Sequence, residues 1–279
     1  MKTLLVIAAF LAFNFSHAQH STLRFTDDAI NLSQKSVLVV PFESKMYLSD
    51  INKALAETNQ LTSRQIVERF TTAIDQSISY AFQEKCAVSS FYGIEDSTVL
   101  QDLSYVYDNL KLEYELVSNT EEKSKAALLK AKLKKKEDDS YQRGQINNGQ
   151  VITTRDTRER YIKTVISDQN MLDSMHFKFD NDYFLFVNQL DIKNDYSDMV
   201  AVQQGNFERV VRLHYTLYAK DGNILTTGIS KTKFSNRQND INLIITENFP
   251  ILAHQIFEDL FPSEENQSNS KINLKKPWK

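Results

Sequence analysis

The chain has 279 residues, with 36 acidic against 33 basic side chains and a formal charge of −3, a balance that excludes a dedicated nucleic-acid binder. Hydrophobic residues at 41% and charged residues at 25% exclude both a disordered polymer and a multi-span membrane protein. The six glycines, Gly93, Gly144, Gly149, Gly205, Gly222 and Gly228, lie at least five residues apart, so the GxGxxG, P-loop and GxSxG patterns are absent.

Lys2 and then an apolar run from Leu4 to Phe15 lead to Ser16-His17-Ala18. One positive charge, a short apolar core and small residues at −3 and −1 predict a secretory signal peptide over 1–18, cut after Ala18. The run is too short for a membrane span. The only cysteine, Cys86, is remote from that cut, so neither lipid attachment there nor an internal disulfide is expected. A periplasmic or secreted protein that is not a lipoprotein follows, with no transmembrane span after cleavage. Cys86 itself opens a strand-like run and reads as a small buried hydrophobe.

Residues 19–35 are mostly polar and read as an N-terminal tail or an edge segment. Ser36-Val37-Leu38-Val39-Val40-Pro41-Phe42 is a continuous β-branched run, expected in a strand buried on both faces. Thr62 with Gln65 is a capping-box signature, and it opens a helix with Ile66, Phe70, Ile74, Ile78 and Phe82 at spacings of four. Another strand is expected from Cys86 to Tyr92. Leu100, Leu103, Tyr107, Leu110, Tyr114 and Val117 step by three and four, which predicts an amphipathic helix. A second helical stretch from Thr154 to Leu172 makes residues 97–172 a helical hairpin inserted between strands.

Tyr183 to Ile192 is the third strand, preceded by a turn at Asp180-Asn181-Asp182. Phe207 to Ala219 alternates, with Phe207, Arg209, Val211, Leu213, Tyr215 and Leu217 on one face. Asp221-Gly222 turns it back into Ile224 to Phe234. The last helix carries a broad apolar stripe from Ile241 to Leu260, with Pro250 expected to kink it. Residues 263–279 read as a flexible C-terminal tail. The fold class is therefore α/β: one domain over 36–262, with a mixed β-sheet of about five strands packed by helices.

The run Val37-Leu38-Val39-Val40-Pro41-Phe42, the long helix, the strand at Tyr183 to Leu190 and the hairpin at Lys220-Asp221-Gly222 together resemble the periplasmic α/β domain of TolB N-terminal regions, LpoB and CsgG. In those proteins a strand ending in Pro-Phe opens the domain, and a late hairpin often turns at an acidic residue followed by Gly. The segment Pro41-Phe42-Glu43-Ser44-Lys45-Met46-Tyr47-Leu48-Ser49-Asp50 is also similar to one in uncharacterised exported proteins of Bacteroidota. That second resemblance implies no activity. The chain departs from LpoB and CsgG in lacking a lipoprotein cysteine, and from TolB in lacking propeller repeats, so tethering and pore formation are not carried over.

Ligands of open α/β sheets bind beyond the carboxyl ends of parallel strands. Glu43, Lys45, Tyr47, Ser49 and Asp50 follow the first strand, and Asp191, Lys193 and Asp195 are placed after the third. These eight are the candidate ligand-binding residues if the two strands are parallel neighbours. The competing reading has Ser49 or Asp50 capping a short helix through Leu55 with the charges solvated. Lys123 to Lys136 holds seven lysines and no acid. Within it Lys130, Lys132, Lys134, Lys135 and Lys136 are candidates for binding a polyanion or lipid headgroups, against a solvated helix flanked by acids. Ser230-Lys231-Thr232-Lys233 matches SxxK but falls in a strand.

The four histidines outside the leader lack metal-ligand spacing, so no metal, cofactor or catalytic residue is expected. The leading expectation is a non-catalytic exported protein that binds a cell-envelope protein or polymer. The alternatives are a hydrolase or transferase using carboxylates at strand ends, and a polyanion-binding module. Carboxylates converging in a concave pocket with perturbed ionisation would favour the enzyme, and a loop lying flat on the surface would count against it.

Overall fold

The computed structural model describes residues 21–24, 32, 34–93, 98–116, 146–147, 150–151, 159–168 and 170–261. The expected signal peptide, the Lys123 to Lys136 run and the C-terminal tail lie outside the described residues.

The strands are β1 (Ser21–Arg24), β2 (Ser36–Val40), β3 (Tyr47–Ser49), β4 (Ala87–Ser90), β5 (Leu110–Leu116), β6 (Ile146–Asn147), β7 (Gln150–Val151), β8 (Arg160–Ile166), β9 (Tyr183–Asp195), β10 (Glu208–Ala219) and β11 (Ile224–Ser235). The helices are α1 (Asn52–Asn59), α2 (Ser63–Phe82), α3 (Val99–Asp108), α4 (Asn170–Phe179), α5 (Met199–Gln203) and α6 (Ile241–Leu260). The main sheet runs β1-β11-β10-β9-β2-β4, with β3 also paired to β9. It is mixed: β2 is parallel to β4 and β9, whereas β9, β10, β11 and β1 are antiparallel. The polar segment before the first central strand thus supplies an edge strand.

One face of the sheet packs on α2 and α6. Thr62 and Gln65 form the expected reciprocal cap, and Ile66, Phe70, Ile74, Ile78 and Phe82 are all buried, each contributing about 1.5–3 kcal/mol. Phe70 meets Phe249 of α6 at 5.4 Å between ring centroids. Helix α6 continues unbroken through Pro250. Cys86 is buried in this core, and burial pushes its thiol up to about 11.

The other face is covered differently from the helical hairpin expected over 97–172. Helix α3 ends at Asp108, and the chain continues as β5, paired antiparallel with β8 from Leu110↔Ile166 to Leu116↔Arg160. The sequence Leu110-Lys111-Leu112-Glu113-Tyr114-Glu115-Leu116 alternates with period two, and it competes directly with the three-and-four spacing. A strand pair wins here because β8 finds partners on the sheet. The segment is also not detachable: Val99, Leu103, Val106, Met171 and Leu172 form a second core with Leu38, Val40, Phe184 and Phe186.

Candidate functional site

Strands β2 and β9 are parallel neighbours, the condition on which the candidate residues were expected to converge. Their pairing stops at Val40↔Phe186 and resumes as Tyr47↔Leu190, with a 3-10 turn at Ser44–Met46 between. At the same level β9 shifts register against β10, from His214↔Gln189 to Tyr215↔Val187. This β-bulge leaves Asn188 without an opposite residue. Val187 and Leu190 therefore both enter the helix-facing core, while Asn188 and Gln189 both face β8.

Asn188 uses that position to anchor β8. Its Nδ2 donates to the Ile162 carbonyl at 2.5 Å and to Thr216 Oγ1 at 2.8 Å, and its Oδ1 accepts from Thr164 Oγ1. The Thr164 N–H donates to Thr216 Oγ1, the Thr164 carbonyl accepts from Tyr218 Oη, and the Ile162 N–H donates to His214 Nδ1. The edge of β8 away from β5 is thus satisfied by side chains of the sheet rather than by another backbone.

Between this layer and the β2–β3–β9 break runs a cleft in two parts that share Tyr114. One part, of about 240 Å³, is lined by Glu43, Lys45, Met46, Tyr107 and Asn188 among others. The other, of about 350 Å³, is lined by Leu48, Gln189, Asp191, Lys193, Arg212 and His214, with Glu159, Arg160 and Ile162 from β8 and its approach.

Of the eight candidate ligand residues, Glu43, Lys45, Asp191 and Lys193 line the cleft. Asp191 and Lys193 do so from within β9, which extends to Asp195, and not from a loop after it as expected. The rest serve the local structure. Tyr47 packs on Phe70, and burial pushes its hydroxyl up to about 12. Ser49 Oγ accepts from the Ile51 N–H at 3.2 Å, and Asp50 Oδ2 accepts from the Asn194 N–H at 3.1 Å. Asp195 is held down to about 2 by hydrogen bonds from Ser197 and by Lys233 at 3.0 Å. Ser49 and Asp50 thus act in turn and strand closure, and neither caps the helix that follows: the N-cap of α1 is Ile51, with no side-chain cap. Lys130, Lys132, Lys134, Lys135 and Lys136 fall outside the described residues.

The carboxylates that reach the cleft are matched internally. Glu43 pairs with Lys45 at 2.6 Å and Asp191 with Lys193 at 3.4 Å. Glu159 is 2.6 Å from Lys231 and 3.8 Å from Arg212. Among the described residues, no group of three or more His, Cys, Asp or Glu side chains is placed to hold a metal ion, and no helix is long and apolar enough to cross a membrane.

Gln189 and His214 carry the most distinctive chemistry here, and neither is among the residues expected from the sequence. Their signal was in the sequence: the alternation of the third strand resets at Asn188-Gln189, which puts two adjacent polar residues on one face. His214 is 3% exposed, and burial lowers its imidazole to about 3, aided by Arg212, Lys231 and Lys193. It is neutral at physiological pH. With Nδ1 accepting from Ile162, its proton resides on Nε2.

No protein-family model and no curated protein matches the chain. Among solved structures, a variant PelC dodecamer from Paraburkholderia phytofirmans is similar over 85% of this chain and 96% of its own, at 7% identity and a TM-score of 0.32. A second PelC dodecamer from the same organism matches over the same shares at 6% identity and a TM-score of 0.31. At those scores the likeness decides neither function nor assembly.

Proposed function

We propose that the chain is an exported, periplasmic, non-catalytic α/β protein that binds a cell-envelope partner through the cleft between β5–β8 and the β2–β3–β9 break. The observation that carries this reading is the state of the acidic groups. Glu43, Asp191 and Glu159 are each countered by a neighbouring cation, Asp50 accepts from the Asn194 N–H of β9, and Asp195 closes a backbone turn at Ser197. The hydrolase or transferase alternative needs a proton donor and a base set apart from such partners. The rim of the cleft, by contrast, offers side chains suited to contact: Tyr114 is 59% and Leu48 41% exposed. Export is supported by the charged, apolar and small-residue order of residues 1–18.

The test is crosslinking of the chain, without residues 1–18, in an envelope fraction, against a Leu48→Arg/Tyr114→Asp variant with an unchanged circular dichroism spectrum. A component captured by the native chain and lost by the variant supports the reading. The same captured set for both chains, capture by neither, or turnover of a captured component overturns it. Capture that fails steeply with added salt while ignoring the variant assigns binding to the lysine-rich run instead.

A further inference from the structure

We infer that the larger part of the cleft, beside Gln189 and His214, binds a neutral, multiply hydroxylated ligand of the saccharide class. The inference rests on the cleft being the binding surface and adds the chemistry it selects.

The argument starts from two side chains that are register partners on adjacent strands. Gln189 is 2% exposed. Its Nε2 donates to Asp191 Oδ1 at 2.6 Å, and because a carboxylate only accepts, this orients the amide. The carbonyl Oε1 then points elsewhere, and among the described residues it has no hydrogen-bond partner. His214 is fixed in the complementary sense. Nδ1 is occupied by the Ile162 N–H at 3.3 Å, which makes Nε2–H a donor. Asp191 Oδ2 lies 4.0 Å from Nε2, too far for a hydrogen bond. Both side chains line the cavity, so its wall carries an unpaired acceptor on β9 and, on the register partner in β10, an imidazole N–H donor.

A hydroxyl group is the smallest ligand group that serves both, donating to Gln189 Oε1 and accepting from His214 Nε2–H. An ion is a poorer match, because Lys193, Arg212 and Lys231 already pair with Asp191 and Glu159. Of these, Asp191, Glu159, Lys193 and Arg212 line the cavity and still offer hydrogen bonds to further hydroxyls. At the mouth, the exposed ring of Tyr114 supplies a flat apolar face with a polar edge, the counterpart of the C–H face of a pyranose. The volume of about 350 Å³ lies at the lower end of small-molecule sites, so the cavity holds a short stretch of a glycan.

The experiment titrates the isotope-labelled chain with glucose, galactose, mannose and N-acetylglucosamine, with linear tetramers of each, and with phosphate and citrate. NMR is read at the Gln189 side-chain amide and the His214 ring. The expected result is binding of at least one neutral tetramer with shifts at both groups, altered less than about twofold between low and high salt. Gln189→Leu, which removes the acceptor at similar size, weakens it about tenfold. Tyr114→Ala, an exposed site that leaves the fold intact, weakens it about fivefold and keeps the test valid if the buried variant misfolds.

Three results overturn the inference: no saccharide shifts either group, phosphate or citrate binds there with steep salt dependence, or tetramer affinity ignores Tyr114→Ala. If no saccharide binds while an envelope component is still captured through Leu48 and Tyr114, the inference fails and the binding reading stands. If a tetramer binds and is cleaved, the saccharide assignment stands and the non-catalytic reading fails.

Discussion

Asn188→Ala tests whether a single bulged side chain holds the β5–β8 layer on the sheet. The substitution removes three hydrogen bonds, to the Ile162 carbonyl, Thr164 Oγ1 and Thr216 Oγ1. Thr216 Oγ1 keeps the Thr164 N–H and a contact with Thr227 Oγ1 at 3.2 Å, so its loss is small. The Ile162 carbonyl and the Thr164 hydroxyl lose their side-chain partner in a buried setting, at about 1–3 kcal/mol each. The expected total is about 2–6 kcal/mol, the lower end applying where water enters the space left by the amide. For a domain of this size that lowers Tm by about 2–4 °C per kcal/mol. Asn188→Leu separates the terms, since it fills the volume and makes no hydrogen bond; it should cost at least as much. The assay is urea unfolding combined with hydrogen exchange at the Ile162 and Thr164 amides, whose acceptors are His214 Nδ1 and Thr216 Oγ1. Both amides should lose protection before those of β9 and β10. A change in stability under about 0.5 kcal/mol, or unaltered protection at both amides, refutes the account of how the layer is anchored.

Gly228 faces the buried Tyr215 across the β10–β11 pair, and a Cβ there would stand 2.4 Å from Tyr215 Oη and 2.6 Å from its Cζ. Tyr215 cannot retreat freely because Oη donates to Asp259 Oδ2 at 2.5 Å, so Gly228→Ala should cost about 1–3 kcal/mol by overpacking, measured by urea unfolding; a neutral result refutes the clash. Asp75 is buried, and desolvation raises its carboxyl from 3.8 to about 6 despite the hydrogen bond from Ser90 Oγ at 2.6 Å. A carboxyl with the higher value in the folded state favours folding below about pH 4, and that contribution is lost as pH rises through about 6. Stability should thus fall by up to about 3 kcal/mol across this window, and Asp75→Asn should abolish the fall; an identical pH profile for the variant counts against the assignment. Cys86, with its thiol raised to about 11 by burial, should react with a thiol reagent at pH 8 only as fast as the protein opens, and rapid reaction of the native protein contradicts its burial.

Elements whose neighbours in sequence are also their partners in space were legible without a structure. The capping box at Thr62 and Gln65 and the spacing of four from Ile66 to Phe82 specify a helix and its buried face locally. So do the alternation of Phe207 to Ala219 and the turn at Asp221-Gly222, because a hairpin sets its own register. The β-branched run from Val37 to Val40 likewise announced a strand buried on both faces.

Residues 110–116 carried two periods at once, and nothing local chose between them. The choice fell to Asn188, His214, Thr216 and Tyr218, which receive the backbone of β8 from 26 to 54 positions away in the chain. Long-range pairing of that kind overrides local spacing because a buried backbone group must be satisfied wherever the partner comes from. The same logic moved the site. Charge and position near a strand end pointed to the Glu43 to Asp50 loop, where most polar groups turned out to be bonded to their own backbone or to one another. The bulge at Asn188 instead brought Gln189 and His214 to one wall. Composition and pattern determined the central strands, the helices α2 and α6 and their buried faces. Only the tertiary structure decided which polar atoms are used up in folding and which remain to meet another molecule.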